Sequence, residues 1–153
     1  LNLGQANWEI GNNYTVFETS GIKYSGAICF ESTFPDLMRK FVVNGAEFLT
    51  VLVNDGWYET APEPQQHAAQ SIFRAIENRR TLLRCANTGI SMVIEPSGRI
   101  VQQTNLNEKQ FIIAEIYPNN KMTFFTKYGN LFSLLMILIL FIIIGVGLKN
   151  GTK

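Results

Sequence analysis

Apolar and polar positions alternate in short blocks until residue 131, where polar positions almost vanish. Residues 24–30 form a short apolar block that predicts a strand. Residues 35–43 read as a helix, opened by Pro35 and closed by Asn44-Gly45. A run rich in β-branched residues at 47–53 predicts a second strand, buried on both faces. A polar loop at 54–64 follows, with two prolines and two aromatics. The spacing of Ala68, Ala69, Ile72, Phe73 and Ile76 predicts a helix over about 65–83, with Pro64 suited to its first turn. Residues 90–95 and 99–104 flank the turn Pro96-Ser97-Gly98 and read as a hairpin. One more strand is expected at 111–117, and no internal repeat interrupts this α/β mixture.

The block at 131–148 is different in kind. Fifteen of its 18 residues are apolar and none is charged. As a helix it would be about 27 Å long, near the thickness of a bilayer's hydrocarbon core. Lys127, Tyr128 and Lys149 stand where interfacial anchors belong, and Ser133, Gly145 and Gly147 would admit a neighbouring helix. The expected organisation is a soluble domain at 1–128, a transmembrane helix at 129–149 and a tail at 150–153. Lys121 and Lys127 on one side balance Lys149 and Lys153 on the other, so charge alone sets no orientation.

Set apart from that block, the chain has an ordinary globular composition, enough for one domain. A net charge of +1 without a basic cluster argues against a nucleic-acid partner. Cys29 and Cys85 are too far apart for a metal-site motif and too few for a disulfide framework, and a single histidine builds no metal site. No metal and no cofactor is implied. The chain starts with Leu1, and its first twenty residues lack a signal-peptide pattern, so it is expected to be the C-terminal part of something longer.

Cys29 closes the first strand just before a helix can begin. A nucleophile on such a turn is exposed at a sheet edge, although a cysteine in an apolar strand is more often a small core residue. Glu31 must either face solvent or satisfy buried donors. Asn54-Asp55-Gly56-Trp57-Tyr58 follows the second strand and shares the edge with Cys29 if the two strands are parallel; a turn held by its own Asn and Asp side chains explains it equally well. His67 reads as a helix-surface residue, Arg74, Arg79, Arg80 and Arg84 as a solvated or ion-paired face, and Cys85 as a buried thiol.

Four stretches together resemble the nitrilase superfamily and, within it, the apolipoprotein N-acyltransferases of bacterial membranes. They are Gly26-Ala27-Ile28-Cys29-Phe30-Glu31, Val53-Asn54-Asp55-Gly56-Trp57, Gln66-His67 with the run from Arg74 to Arg80, and the run from Arg84 to Ser91. The apolar block matches the family's last membrane span. The resemblance implies the C-terminal half of a four-layer α-β-β-α sandwich followed by one transmembrane helix, on the outer face of the bacterial inner membrane. It implies acyl transfer from a phospholipid, through a cysteine thioester, to the α-amino group of a diacylglyceryl-modified apolipoprotein cysteine. Cys29 matches the nucleophile, the Phe30 N–H an oxyanion donor, Glu31 an active-site carboxylate, and Asn54 and Trp57 substrate-binding positions. The family's Glu base and Lys lie upstream of the cysteine, and residues 1–24 hold neither motif, so the chain alone is expected to be inactive and to expose apolar sheet surface. The rivals are a membrane-anchored amidase of the same superfamily and a non-catalytic lipid- or partner-binding module.

Overall fold

A computed structural model describes residues 11–57 and 62–151. Residues 1–10, residues 58–61 of the expected loop, the last two residues of the expected tail and the side chains of 148–150, Lys149 included, lie outside the described residues.

The strands β1 (Phe17–Thr19), β2 (Ile22–Ile28), β3 (Phe48–Val53), β4 (Leu82–Ala86), β5 (Met92–Ile94) and β6 (Ile100–Gln103) form one sheet in sequential order. β2, β3 and β4 are parallel, and the other pairs are antiparallel. The two parallel crossovers carry α1 (Pro35–Val43) and α2 (Glu63–Asn78). Crossovers of one hand that step the same way across a sheet put both helices on one face. Met38, Phe41 and Val42 of α1, with Ala68 and Ala75 of α2, accordingly pack on Ala27, Leu49, Val51, Val53, Leu82, Met92 and Ile94.

The other face is open toward the carboxyl ends of β2 and β3. The rings of Phe17, Tyr24 and Phe48 line up across β1, β2 and β3, with centroids 5.5 and 5.2 Å apart. Beyond them Ile28 and Leu52, register partners, are 66% and 56% exposed. β3 is therefore not buried on both faces, because both helices sit on the same side.

Several boundaries differ from the sequence reading. The first strand ends at Ile28, and Cys29–Thr33 form a 3-10 turn. β1 was not signalled by the apolar pattern, and residues 111–117 adopt no regular secondary structure. The long helix ends at Asn78 because Arg79 turns left-handed, at φ 50° and ψ 48°; Leu82 and Leu83 then pair with Leu49 and Thr50. Its buried side also differs. Of the five residues expected inside, Ala68 is buried and Ile72 packs half-buried on the core, whereas Ala69, Phe73 and Ile76 are exposed; Ser71, Ala75 and Asn78 face inward instead, small enough to let the helix approach the sheet. Ile76 lies close to the β5–β6 turn, where a Cβ on Gly98 would run into it.

A short helix, α3 (Phe124–Tyr128), is capped by Thr123 Oγ1, which accepts from the Thr126 N–H at 2.9 Å. It is tied to α2 by the Thr123 hydroxyl, which donates to Glu77 O at 2.6 Å, and to α1 by Arg39 Nη1, which donates to Thr126 O at 3.1 Å. Gly129, at φ +59°, separates it from α4 (Leu131–Gly151). Every side chain from Leu131 to Gly147 is exposed. Over the residues whose side chains are described, which in α4 are 131–147, no helix is long and apolar enough to cross a membrane.

Candidate active site

The turn after β2 is built from local hydrogen bonds. Cys29 has φ +52°, a conformation that costs an L-residue roughly 1–2 kcal/mol. Around it, Glu31 Oε2 accepts the Ile28 N–H at 2.8 Å, and the Ser32 and Thr33 hydroxyls donate to Cys29 O and Phe30 O, each at 2.8 Å. Pro35, whose fixed φ suits a first turn, then opens α1. Of the two options foreseen for it, Glu31 takes the solvent-facing one: it is exposed, and its carboxylate holds the turn by accepting an exposed backbone N–H rather than a buried donor. Cys29 is half-buried and packs against the core.

Because β2 and β3 are parallel, with Ile28 opposite Leu52, the loop that starts at Asn54 lies at the same sheet edge as Cys29. Such carboxyl edges are where α/β folds place their sites. Asn54 Oδ1 accepts the Gly56 N–H at 3.2 Å, the turn-holding role foreseen for it, while Trp57 is 81% exposed.

Asp55 departs from the loop around it. Its carboxylate is buried, with Oδ1 2.8 Å from His67 Nδ1 and Oδ2 accepting from Arg84 Nη2 at 2.8 Å. A carboxylate only accepts, so the ring donates from Nδ1. Arg84 Nε also donates to Ile90 O at 3.2 Å. Gly89 lies so close that a Cβ there would collide with the Asp55 carboxylate. His67 is therefore not a helix-surface residue, and its ring centroid lies 6.2 Å from that of Phe30, beside the cysteine.

Of the solvated or ion-paired face expected of the four arginines, the ion pairing holds for Arg74 and Arg84, but both are buried. Arg74 is buried, donates to Thr33 O in the cysteine turn at 3.2 Å and pairs with Glu77 at 3.0 Å. Burial pushes the Arg74 pKa down and the Glu77 pKa up, with their mutual attraction opposing each shift. Arg80 is buried and donates from Nε to Ala46 O at 2.9 Å and from Nη1 to Lys121 O at 2.8 Å. Only Arg79 of the four is exposed. Cys85 is exposed rather than buried, because its strand register puts it opposite Leu52 on the uncovered face. It opens onto a groove of about 1070 Å³ together with Leu52, Asn87, Thr88, Thr104 and Phe111. Among the described residues no group of His, Cys, Asp and Glu is arranged to hold a metal ion.

The buried triad was missed because its members belong to a loop, a helix and a strand that the chain pattern does not connect. Arg84 carried the usable signal. Once residues 82–86 are read as a strand, it alternates with Leu82 and Ala86 on the covered face, where an arginine requires a buried partner.

The carbon-nitrogen hydrolase family model matches residues 3–120. The apolipoprotein N-acyltransferase of Chlorobaculum tepidum is 37% identical over 133 residues, which cover 84% of the chain and 25% of that protein. That of Thermotoga maritima is 35% identical over 151 residues, covering 98% of the chain and 30% of that protein. The chain thus spans less than a third of these relatives' length. Among solved structures, Saccharomyces cerevisiae Nit3, a member of branch 10 of the nitrilase superfamily, matches with a TM-score of 0.55 at 22% identity, covering 66% of the chain and 40% of that structure. A glutamine-dependent NAD+ synthetase from Acinetobacter baumannii matches with a TM-score of 0.59 at 19% identity, covering 67% and 21%. At these identities the two structures speak for the fold alone: a mixed α/β, nitrilase-type fold with a six-stranded sheet.

Proposed function

The chain belongs to the carbon-nitrogen hydrolase family, and on that premise we propose that it carries the nucleophile of an apolipoprotein N-acyltransferase. In this reading the Cys29 thiolate attacks the ester carbonyl of a phospholipid, the lysophospholipid leaves, and a thioester forms. The α-amine of a diacylglyceryl-modified apolipoprotein cysteine then attacks that thioester, releasing the thiol and leaving an amide. The Phe30 N–H stabilises the oxyanion in both steps, Glu31 is the carboxylate beside the nucleophile, and Asn54 and Trp57 bind substrate, with Trp57 near the entrance for the acyl chain. The observation that carries the reading is Cys29 itself: a strained, half-buried thiol on a turn, at the parallel-strand edge it shares with the Asn54–Trp57 loop.

The proposal extends to the membrane. α4 is 21 residues long, about 31 Å at the helical rise, and no protein covers its described side chains. An apolar helix exposed all round is at home in lipid. We place 129–149 in the bacterial inner membrane and the domain of 1–128 on its outer face, next to both lipid substrates.

The test is to incubate the active enzyme that carries this segment with phospholipid, then digest it and locate the acyl group by mass spectrometry. The thioester is expected on the Cys29 peptide, and Cys29→Ala abolishes it; acyl on the Cys85 peptide overturns the assignment. Adding a lipopeptide amine separates transfer from the amidase reading, in which water alone takes the acyl group.

A further inference from the structure

We propose that Asp55, His67 and Arg84 form a positioning triad that sets where the Asn54–Trp57 loop stands against the cysteine turn. The loop shows an unusual contrast: Asn54 and Trp57 are exposed, while Asp55 between them is 2% exposed and has both oxygens engaged. Its partners come from two other elements, His67 from α2 and Arg84 from β4, and Gly89 closes in on the carboxylate with no room for a side chain. The loop is thus fixed at one point to the layer beneath it, and the side chains on either side of that point are presented outward.

Stability alone does not account for this choice. Desolvating a carboxylate and a guanidinium costs several kcal/mol per ion, and apolar replacements of similar volume are often neutral or stabilising. What the charged cluster supplies is direction: a planar guanidinium and an imidazole accept one carboxylate placement only. His67 extends the same placement to the cysteine turn through its ring contact with Phe30, and Arg74, two turns further along the same face of α2, holds that turn at Thr33 O. A shift of the Asp55 carboxylate therefore moves the loop and the turn relative to each other.

The test reads position directly, and its kinetic arm alone rests on the acyl-transfer reading. In this chain, with Trp8→Phe and Cys85→Ser so that Trp57 and Cys29 report alone, Trp57 anisotropy decay and the Cys29 alkylation rate are measured well below the melting temperature. Asp55→Asn is expected to roughly double the fast, local component of the decay and to change the alkylation rate, with the sheet still folded by circular dichroism. His67→Asn places an amide nitrogen about where Nδ1 stands and keeps the loop ordered, whereas His67→Gln does not. In the active enzyme, kcat/KM for phospholipid falls about tenfold or more in Asp55→Asn and recovers in His67→Asn relative to His67→Gln, while the amine step is spared. A lower melting temperature with anisotropy and alkylation unchanged makes the triad merely structural and overturns the proposal. If Asp55→Asn does not fold, the two His67 variants decide, and equal behaviour in them overturns it. Absence of turnover in the unmutated enzyme would sink the acyl-transfer reading and leave the positional result standing.

Discussion

Strain at one residue supports the proposed role of Cys29 over that of a core cysteine. A thiol needed only for packing has no reason to sit at φ +52°, where its Cβ crowds the following carbonyl. Replacing it by glycine removes that crowding, whereas alanine keeps it. Cys29→Gly is therefore expected to be more stable than Cys29→Ala by about 1 kcal/mol in urea unfolding, even though glycine is the more flexible residue when unfolded. Equal stability, or a less stable glycine variant, would show that the turn is relaxed. The position of Cys29 was legible in the sequence, because an apolar run followed by Glu31, Ser32 and Thr33 ends a strand. Its backbone angle was not, since nothing in Ile28-Cys29-Phe30 requires a positive φ. Asp55, His67 and Arg84 were less legible still: each has an ordinary solvated reading, and only the folded register brings them within hydrogen-bond distance.

At the scale of elements, the chain was readable wherever a residue's chemistry matches its backbone. α1 begins at Pro35 and ends before Asn44-Gly45, with Gly45 at φ +105°, and the hairpin of β5 and β6 turns at Gly98 with φ +89°. The end of α2 was hidden because Arg79 takes the left-handed position that glycine ordinarily fills, and because Leu82 and Leu83 continue a helical spacing. Without that turn the helix would run over β4, and the sheet would lose its third parallel strand and the Arg84 corner of the triad. Arg79 is exposed, and its guanidinium donates only to Pro96 O, at 3.2 Å, among the described residues. Arg79→Gly is expected to raise the unfolding free energy by up to about 1 kcal/mol, the left-handed strain outweighing that contact and the added freedom of the unfolded chain. A destabilised variant would mean that the bond to Pro96 matters more than the strain. The small residues of the inner stripe of α2 misled the reading in a related way. Hydrophobic spacing finds Ala68 but then follows the large apolar side chains, whereas close packing on this sheet goes on to select Ser71 and Ala75.

For the molecule as a whole, α3 is the mechanical link between the layered domain and α4. Its hydrogen bonds run to both crossover helices, the Thr126 hydroxyl donating to Asn78 Oδ1 at 3.1 Å as Arg39 holds Thr126 O. Those same crossover helices carry the cysteine turn and His67. If α4 lies in lipid, Lys127 and Tyr128 come to the interface, and α3 sets how far the cysteine turn stands from the bilayer. The separable claim is the lipid one. Ile139 is midway along the apolar block, and a lysine there is expected to cost about 2.5–3.5 kcal/mol of insertion energy. That is a loss of roughly two orders of magnitude in partitioning into phospholipid vesicles. The same lysine at Leu52 tests the rival explanation, in which the open sheet face rather than α4 adheres to lipid. Leu52 is half-exposed at the carboxyl end of β3, so if that face does the binding, Leu52→Lys should release the chain and Ile139→Lys should not. Release by Ile139→Lys alone assigns the membrane contact to α4, and a chain that stays bound with lysine at 139 removes the anchor from the proposal.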